Sequence, residues 1–248
     1  EVTVQSGGRL TFEDGANLIQ VKDVVQNNNI GNINVEREVN NLESDDFVFW
    51  SSPVENFQVS NITSPSASLA FQWDVNALNG NGVAGDWTSA SGIMAAAEGY
   101  IVETPNDLIP IFTADFRGVP RNGTIDVDVV KSPNSNQPAI GMRHWNLIGN
   151  PYPSSINAHE LFEANAQIEG HLRIWTHNPN ISNASNPFYT GEIYNYNSEY
   201  ITSNVTGATP PNLFNGNIAS GQAFFVQVLD NAPQTSSVNF SNNLRFDN

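Results

Sequence analysis

This sequence predicts an all-β fold, an antiparallel β-sandwich built from two pseudo-repeated units, with a short solenoid-like N-terminal segment and one short helix. Three observations predict it. Short β-prone strings recur along the chain, many alternating apolar and polar residues, with Gly, Asn and Pro between them. The order of motifs running from 46 to 130 comes round again from 144 to 248. Helical periodicity surfaces in a single stretch, AHELFEANA at 158–166.

Residues 1–40 form a segment of their own, with short β-prone pieces at 2–4, 10–12, 18–21 and 33–35. The rhythm SGGRLTFEDGANL resembles coils of a parallel β-helix, whose rungs place Gly and Asn at corners and Leu, Val or Phe inside. One or two rungs are too few to stand alone. They are either the end of a longer solenoid or edge strands folded onto the domain behind them.

The first unit, 46–130, reads DDFVFWSSPVENF, FQWDVNALNGNGVAGDWT, SGIMAAAEGYIVETP and ADFRGVPRNGTIDVDVV. Its strands are expected at 47–50, 69–73, 99–103, 111–116 and 123–130. In TIDVDVV one face carries Ile125, Val127 and Val129 and the other Asp126 and Asp128, the pattern of a strand with one solvated side. A Pro/Ser/Asn-rich linker, 131–143, follows.

The second unit, 144–248, repeats the order as HWNLIGNPYPSSIN, LRIWTHNP with GEIYNYNSEYIT, GNIASGQAFFVQV and VNFSNNLRFDN. Strands are expected at 144–148, 171–175, 192–196, 223–228 and 237–240. Asn150, Pro151 and Pro153 cannot continue a ladder, so the apolar strand before them must leave its sheet, with Gly149 easing the bend. Tyr152, stiffly held between two prolines, is expected to plug the open end of the sandwich. The helix at 158–166 would take Asn157 as its N-cap. Each unit alone offers four or five strands, so 41–248 is expected to form one bilobed domain with a shared core.

Composition narrows the setting. Asp and Glu number 25 against 9 Lys and Arg, and a net charge of −16 repels phosphate backbones and anionic lipid. Nucleic acid is therefore not an expected partner. Membrane insertion is not expected either, since no apolar run approaches the ~20 residues a span requires. Cysteine is absent, which excludes disulfides and thiolate metal sites. An Asn-rich, Lys-poor surface points to an exported protein at an extracellular or cell-surface location. Glu1 begins no signal peptide, so an export signal is expected upstream or already removed.

The run RHWNLIGNPYPSSI at 143–156 resembles a module of large exported proteins of the Bacteroidota, the cargo of the type IX secretion system. The later NIASGQAFFV (217–226) and FSNNLR (240–245) are similar to further pieces of that module, as is FRGVPRNGTIDVDV at 116–129. The resemblance covers roughly residues 45 to 248. It implies a place near the C-terminal end of a longer secreted or cell-surface chain, and it carries no catalytic residues.

Catalytic motifs are missing from the sequence. His144, His159, His171 and His177 lack the His-Glu-x-x-His spacing of zinc proteases, and no nucleophile elbow, Walker loop or dinucleotide fingerprint occurs. The chain is therefore expected not to be an enzyme. Clustered oxygens at Glu43, Asp45 and Asp46 are the candidate ligands for a structural calcium ion, against the alternative of a solvated acidic loop. Trp175, Tyr189, Tyr194, Tyr196 and Tyr200 offer rings on which sugars stack, against the alternative of cross-strand packing. The expected function is a non-enzymatic extracellular surface module, an adhesin or fibre component that spaces, presents or attaches a larger exported protein. The alternative is a carbohydrate-binding module of a secreted glycan-degrading enzyme. Expected partners are neighbouring domains of a longer chain, cell-surface glycan or other copies of the chain.

Overall fold

The computed structural model describes residues 1–43, 46–62, 69–78, 84–133, 143–175, 200–204, 207–209 and 214–247. The fold is all-β, with several antiparallel sheets and one α-helix among the described residues. Its first lobe contains β1 (Thr11–Phe12), β2 (Ile33–Asn40), β3 (Phe47–Trp50), β4 (Ala70–Leu78), β5 (Ala84–Ser89), β6 (Tyr100–Glu103) and β7 (Ile111–Gly118). The second begins with β8 (Ile125–Val130), β9 (Trp145–Gly149), β10 (Ser155–Asn157), α1 (Ala158–Ala164) and β11 (Ile168–Trp175). It continues through β12 (Tyr200–Asn204), β13 (Gly207–Thr209), β14 (Asn217–Ile218), β15 (Ala223–Val228), β16 (Thr235–Phe240) and β17 (Arg245–Phe246).

These strands stack in four layers. The outer layer β1-β2-β7 covers the sheet β3-β6-β4-β5, which faces the sheet β9-β15-β11-β12-β13, which is covered in turn by β8, β16 and α1. Alternate residues of the two middle sheets therefore enter different cores. Trp50, Tyr100 and Val102 pack into the first lobe with Val35 and Phe116, and Ile148, Phe224 and Val226 pack into the second with Val129 and Phe240. Phe49, Ile101, Trp145, Leu147 and Phe225 meet between the lobes. Burial on both faces explains why Ala223–Val228 and Trp145–Gly149 are buried at every position. The covering strand β7 keeps the one-sided alternation, with every second residue exposed.

The middle sheets share one strand order and one register. Ile101 of β6 stands between Phe49 and Phe71, and Phe225 of β15 stands between Leu147 and Arg173. Two residues farther along, Trp73 faces Trp87 and Trp175 faces Tyr200. The turns before β6 and β15 also match, with positive φ at Gly92 and Ala97 (81° and 59°) and at Gly216 and Gly221 (90° and 64°). Contacts between the lobes are reciprocal, as across a two-fold axis. The Ser51 N–H donates to Gly221 O at 2.7 Å and the Gly149 N–H to Ala97 O at 2.9 Å; Trp50 bridges Gln222 while Ile148 bridges Glu98. Small residues permit this approach: a Cβ on Gly149 would lie 2.3 Å from that of Ser51, and one on Gly99 would lie 2.4 Å from Leu147 Cγ.

Pairing also sets where the units divide. β2, in the segment 1–40 by sequence, pairs with β7 along its whole length, and β8, in the unit 46–130 by sequence, pairs with β16 of the second lobe. Each lobe thus opens with a covering strand whose partner arrives at the lobe's end. Upstream of β2, Val2, Val4, Phe12 and Leu18 pack on the first core, and β1 joins β2 in parallel. The chain then crosses to the second lobe, where the Leu18 N–H reaches Pro153 O at 2.7 Å and Asp23 accepts the Asn242 N–H at 2.7 Å.

Candidate functional site

A groove of about 160 Å³ runs between the lobes, where β4 passes β8 and β9. Gln72, Trp73, Asp74 and Asn76 form one wall, Asp128, Val130 and Asn146 the other, and Glu98 with Gly99 the floor. Glu98 reaches this position because Ala97 takes left-handed backbone and Gly99 packs flat against Leu147. Its carboxylate accepts the Gln72 amide at 2.9 Å. Partial burial pushes the Glu98 carboxyl above the usual carboxylate range; the Gln72 bond opposes that and the nearby Asp128 charge adds to it. At the matching place in the second lobe stands Gln222, so the scaffold itself does not require a charge there.

A second constellation lies at the mouth of the linker. Ser132 Oγ is 2.8 Å from His144 Nδ1, and His144 Nε2 is 3.0 Å from Asp230 Oδ1. Composition matches a hydrolytic triad, yet accessibility does not. Ser132 is 1% exposed and its hydroxyl accepts the His144 N–H at 2.9 Å, so the oxygen faces protein and not substrate. Arg143 grips Asp230 through two bonds of 3.0 and 2.8 Å. Hydrogen bonding to Arg143, chiefly, holds the Asp230 carboxyl below its ordinary range.

The Pro-rich turn after β9 is a buried node. The Asn150 side chain donates to the carbonyls of Ser154, Ile218 and Ala219 at 2.8, 3.1 and 3.0 Å and accepts the Tyr152 N–H at 3.0 Å. Tyr152 is fully buried and its hydroxyl donates to Gly123 O at 2.6 Å. Burial pushes that hydroxyl well above the usual tyrosine range. Over its ring, at 4.7 Å, lies the Arg245 guanidinium, bonded to Ser154, Asn122, Asn242 and the Leu18 carbonyl. Burial lowers the Arg245 pKa to about 10, with Tyr152 and Asp23 opposing. These groups are consumed in bracing the fold.

Of the aromatic residues singled out from sequence, Tyr189, Tyr194 and Tyr196 lie outside the described residues, and Tyr200 opens β12 opposite Trp175. The Trp175 ring is stacked on Phe49 at 5.4 Å and 6°, so one of its faces is taken by the central core. Asp45 also lies outside the described residues. The Asp46 carboxylate accepts the Glu43 N–H at 2.7 Å. Among the described residues, no group of three or more His, Asp or Glu side chains is placed to hold a metal ion. His159 sits 3.6 Å from Glu163 on the helix surface, His171 packs edge-on against Trp145, and His177 is outside the described residues.

Sequence reasoning did not find the Ser132–His144–Asp230 constellation or the Glu98 groove. Asp230 is 86 positions from His144, and no local spacing announces such a meeting. One signal was readable for the groove: the echo aligns Glu98 with Gln222, a charge against an amide in otherwise apolar surroundings.

A family model described as a domain of unknown function, DUF8693, matches residues 1–248. The chain belongs to that family. The match spans both lobes and the N-terminal segment, so it covers the whole four-layer stack and not one of its halves. No curated protein and no solved structure matches the chain.

Proposed function

We propose that this DUF8693 domain is a non-enzymatic extracellular surface module, an adhesin or fibre component that spaces, presents or attaches a larger exported protein of the type IX secretion kind. The observation that carries this reading is the use of the buried polar side chains. The Asn150 amide is spent on three backbone carbonyls, the Arg245 guanidinium on Ser154, Asn122, Asn242 and the Leu18 carbonyl, and the Ser132 hydroxyl on the His144 N–H and ring. Such bracing makes a stiff body, which suits a spacer and leaves no exposed nucleophile at the constellation nearest to a triad. Strong acidity and few basic groups support a soluble, monodisperse surface unit. Among the described residues no helix is long and apolar enough to cross a membrane.

A carbohydrate-binding role is the second reading, supported by the groove and its Gln72, Asn76 and Asp128 side chains beside Trp73. Two measurements separate the readings. The pure domain is incubated with a panel of polysaccharides and peptides, and turnover abolished by Glu98→Gln would overturn the non-enzymatic reading. Glycan-array binding that is lost in Asn76→Ala with the fold intact would favour the carbohydrate module; no binding by the folded domain leaves the spacer.

A further inference from the structure

Both ring nitrogens of His144 are engaged, and the partners decide where its proton lies. The Ser132 backbone N–H, which can only donate, points at Nδ1 from 3.0 Å. Nδ1 is therefore the acceptor and the proton sits on Nε2, which donates to Asp230 at 3.0 Å. Ser132 Oγ accepts the His144 N–H, and its own O–H donates a hydrogen bond to Nδ1, sharing that lone pair with the Ser132 N–H. The ring is 4% exposed, and His144 holds φ at 66°, a left-handed conformation unfavourable for any residue with a side chain. The side-chain bonds keep the backbone in that conformation.

We propose that Ser132, His144 and Asp230 form an acid-sensitive clasp, closed while the imidazole is neutral and opened when Nδ1 takes a proton. A protonated Nδ1 would face the Ser132 N–H donor to donor, and rotation of the Ser132 hydroxyl relieves one of the two conflicts only. What opens is the joint where β8 ends and β9 begins. Next to it, the Asn146 amide bonds the Val130 N–H and carbonyl, each at 2.9 Å, and both residues line the groove of Glu98. Acid is thereby coupled to the shape of that groove.

The charges around the ring set the direction. Burial disfavours the imidazolium most strongly, Arg143 and Lys131 add repulsion, and Asp230 favours it. That carboxylate is already shared with Arg143, and the Lys131 ammonium is bonded to the Asp230 carbonyl at 3.0 Å. The net effect lowers the His144 pKa below its ordinary 6.5. The opened state therefore takes the proton first, so the closed clasp is stable above the ordinary imidazole range and weakens as pH falls.

Amide hydrogen exchange followed by NMR tests this, with the Ser132 N–H compared to the amides of β15 in the same sample. The Ser132 amide should be protected near neutrality and lose protection about tenfold per pH unit in the range where only the opened state binds the proton. The β15 amides should hold. Nitrogen shifts of the His144 ring should show the Nε2–H form at neutral pH. His144→Gln keeps an acceptor but does not titrate, so its Ser132 protection should be flat with pH. Asp230→Asn removes the group that favours the imidazolium in the closed clasp, so the loss of Ser132 protection should continue to lower pH before it levels off. Ser132 protection that stays constant to about pH 4.5, or a neutral ring protonated on Nδ1, would overturn the clasp. Should His144→Gln not fold, the wild-type exchange profile and ring spectrum decide the matter alone.

Discussion

Replacing Phe225 by Ala should loosen both lobes at once. The Phe225 ring lies in the central core, 7% exposed, with ring centroids 5.5 Å from Trp73, 5.9 Å from Phe49, 6.1 Å from Trp87 and 6.4 Å from Trp145. Three of those rings belong to the first lobe, so the substitution empties the seam between lobes. Truncating a buried Phe to Ala costs about 3–5 kcal/mol through lost transfer energy and the cavity left behind. Against a total stability of about 5–15 kcal/mol that is a large share. With a urea dependence near 3 kcal/mol per molar, the unfolding midpoint should fall by about 1–1.7 M. Urea unfolding followed by both far-ultraviolet circular dichroism and Trp fluorescence measures it. Four of the five Trp residues line the seam and Trp50 lies in the first lobe's own core, so fluorescence reports the interface while dichroism reports all strands. One transition, shifted equally in both signals, is expected. A shift below about 1 kcal/mol, or a wild type whose two signals separate, would refute the shared core.

Arg245→Met should cost about 3 kcal/mol, because the Asn122, Asn242 and Ser154 acceptors lose a buried charged donor; Arg245→Lys should not restore the melting temperature, as one ammonium cannot span the same fork. Asn157→Ala should cost about 1 kcal/mol by removing the cap that accepts the N–H groups of His159 and Glu160 at 2.8 and 3.2 Å, and Asn157→Asp should recover most of it in a thermal melt. Glu98→Gln should raise the melting temperature at neutral pH. The folded state holds the Glu98 proton more tightly than the unfolded chain, so the ionised form opposes folding above the raised pKa, and the advantage of Gln should shrink as the medium is acidified. An advantage that grows in acid would contradict the assignment.

Local chemistry alone made much of this fold legible. The alternation in TIDVDVV, the Pro turn after Trp145–Gly149, the Asn157 cap and the run Ala223–Val228, apolar but for Gln227, each report surroundings that a residue's neighbours in the chain already specify. The repeat of motif order was legible for the same reason, since each lobe must meet the same turn and burial demands. β5 was not foreseen. Its Gly85 would count against a strand, but in the fold a Cβ there would lie 2.2 Å from the Trp73 ring, and that ring is brought by β4.

What the sequence determined by itself was the all-β class, the turns and the two-fold order of elements, because these depend on residues a few positions apart. Tertiary structure alone decided that β8 pairs across the linker with β16, and that β2 joins the first lobe. It alone brought Asp230 to His144, stacked Trp175 on Phe49, and set Glu98 in the lining of a groove between lobes. Each of these is a meeting of distant residues through strand order and layer stacking. A partner 86 positions away leaves no mark on local periodicity, because nothing in the spacing of neighbours depends on which strand will lie opposite.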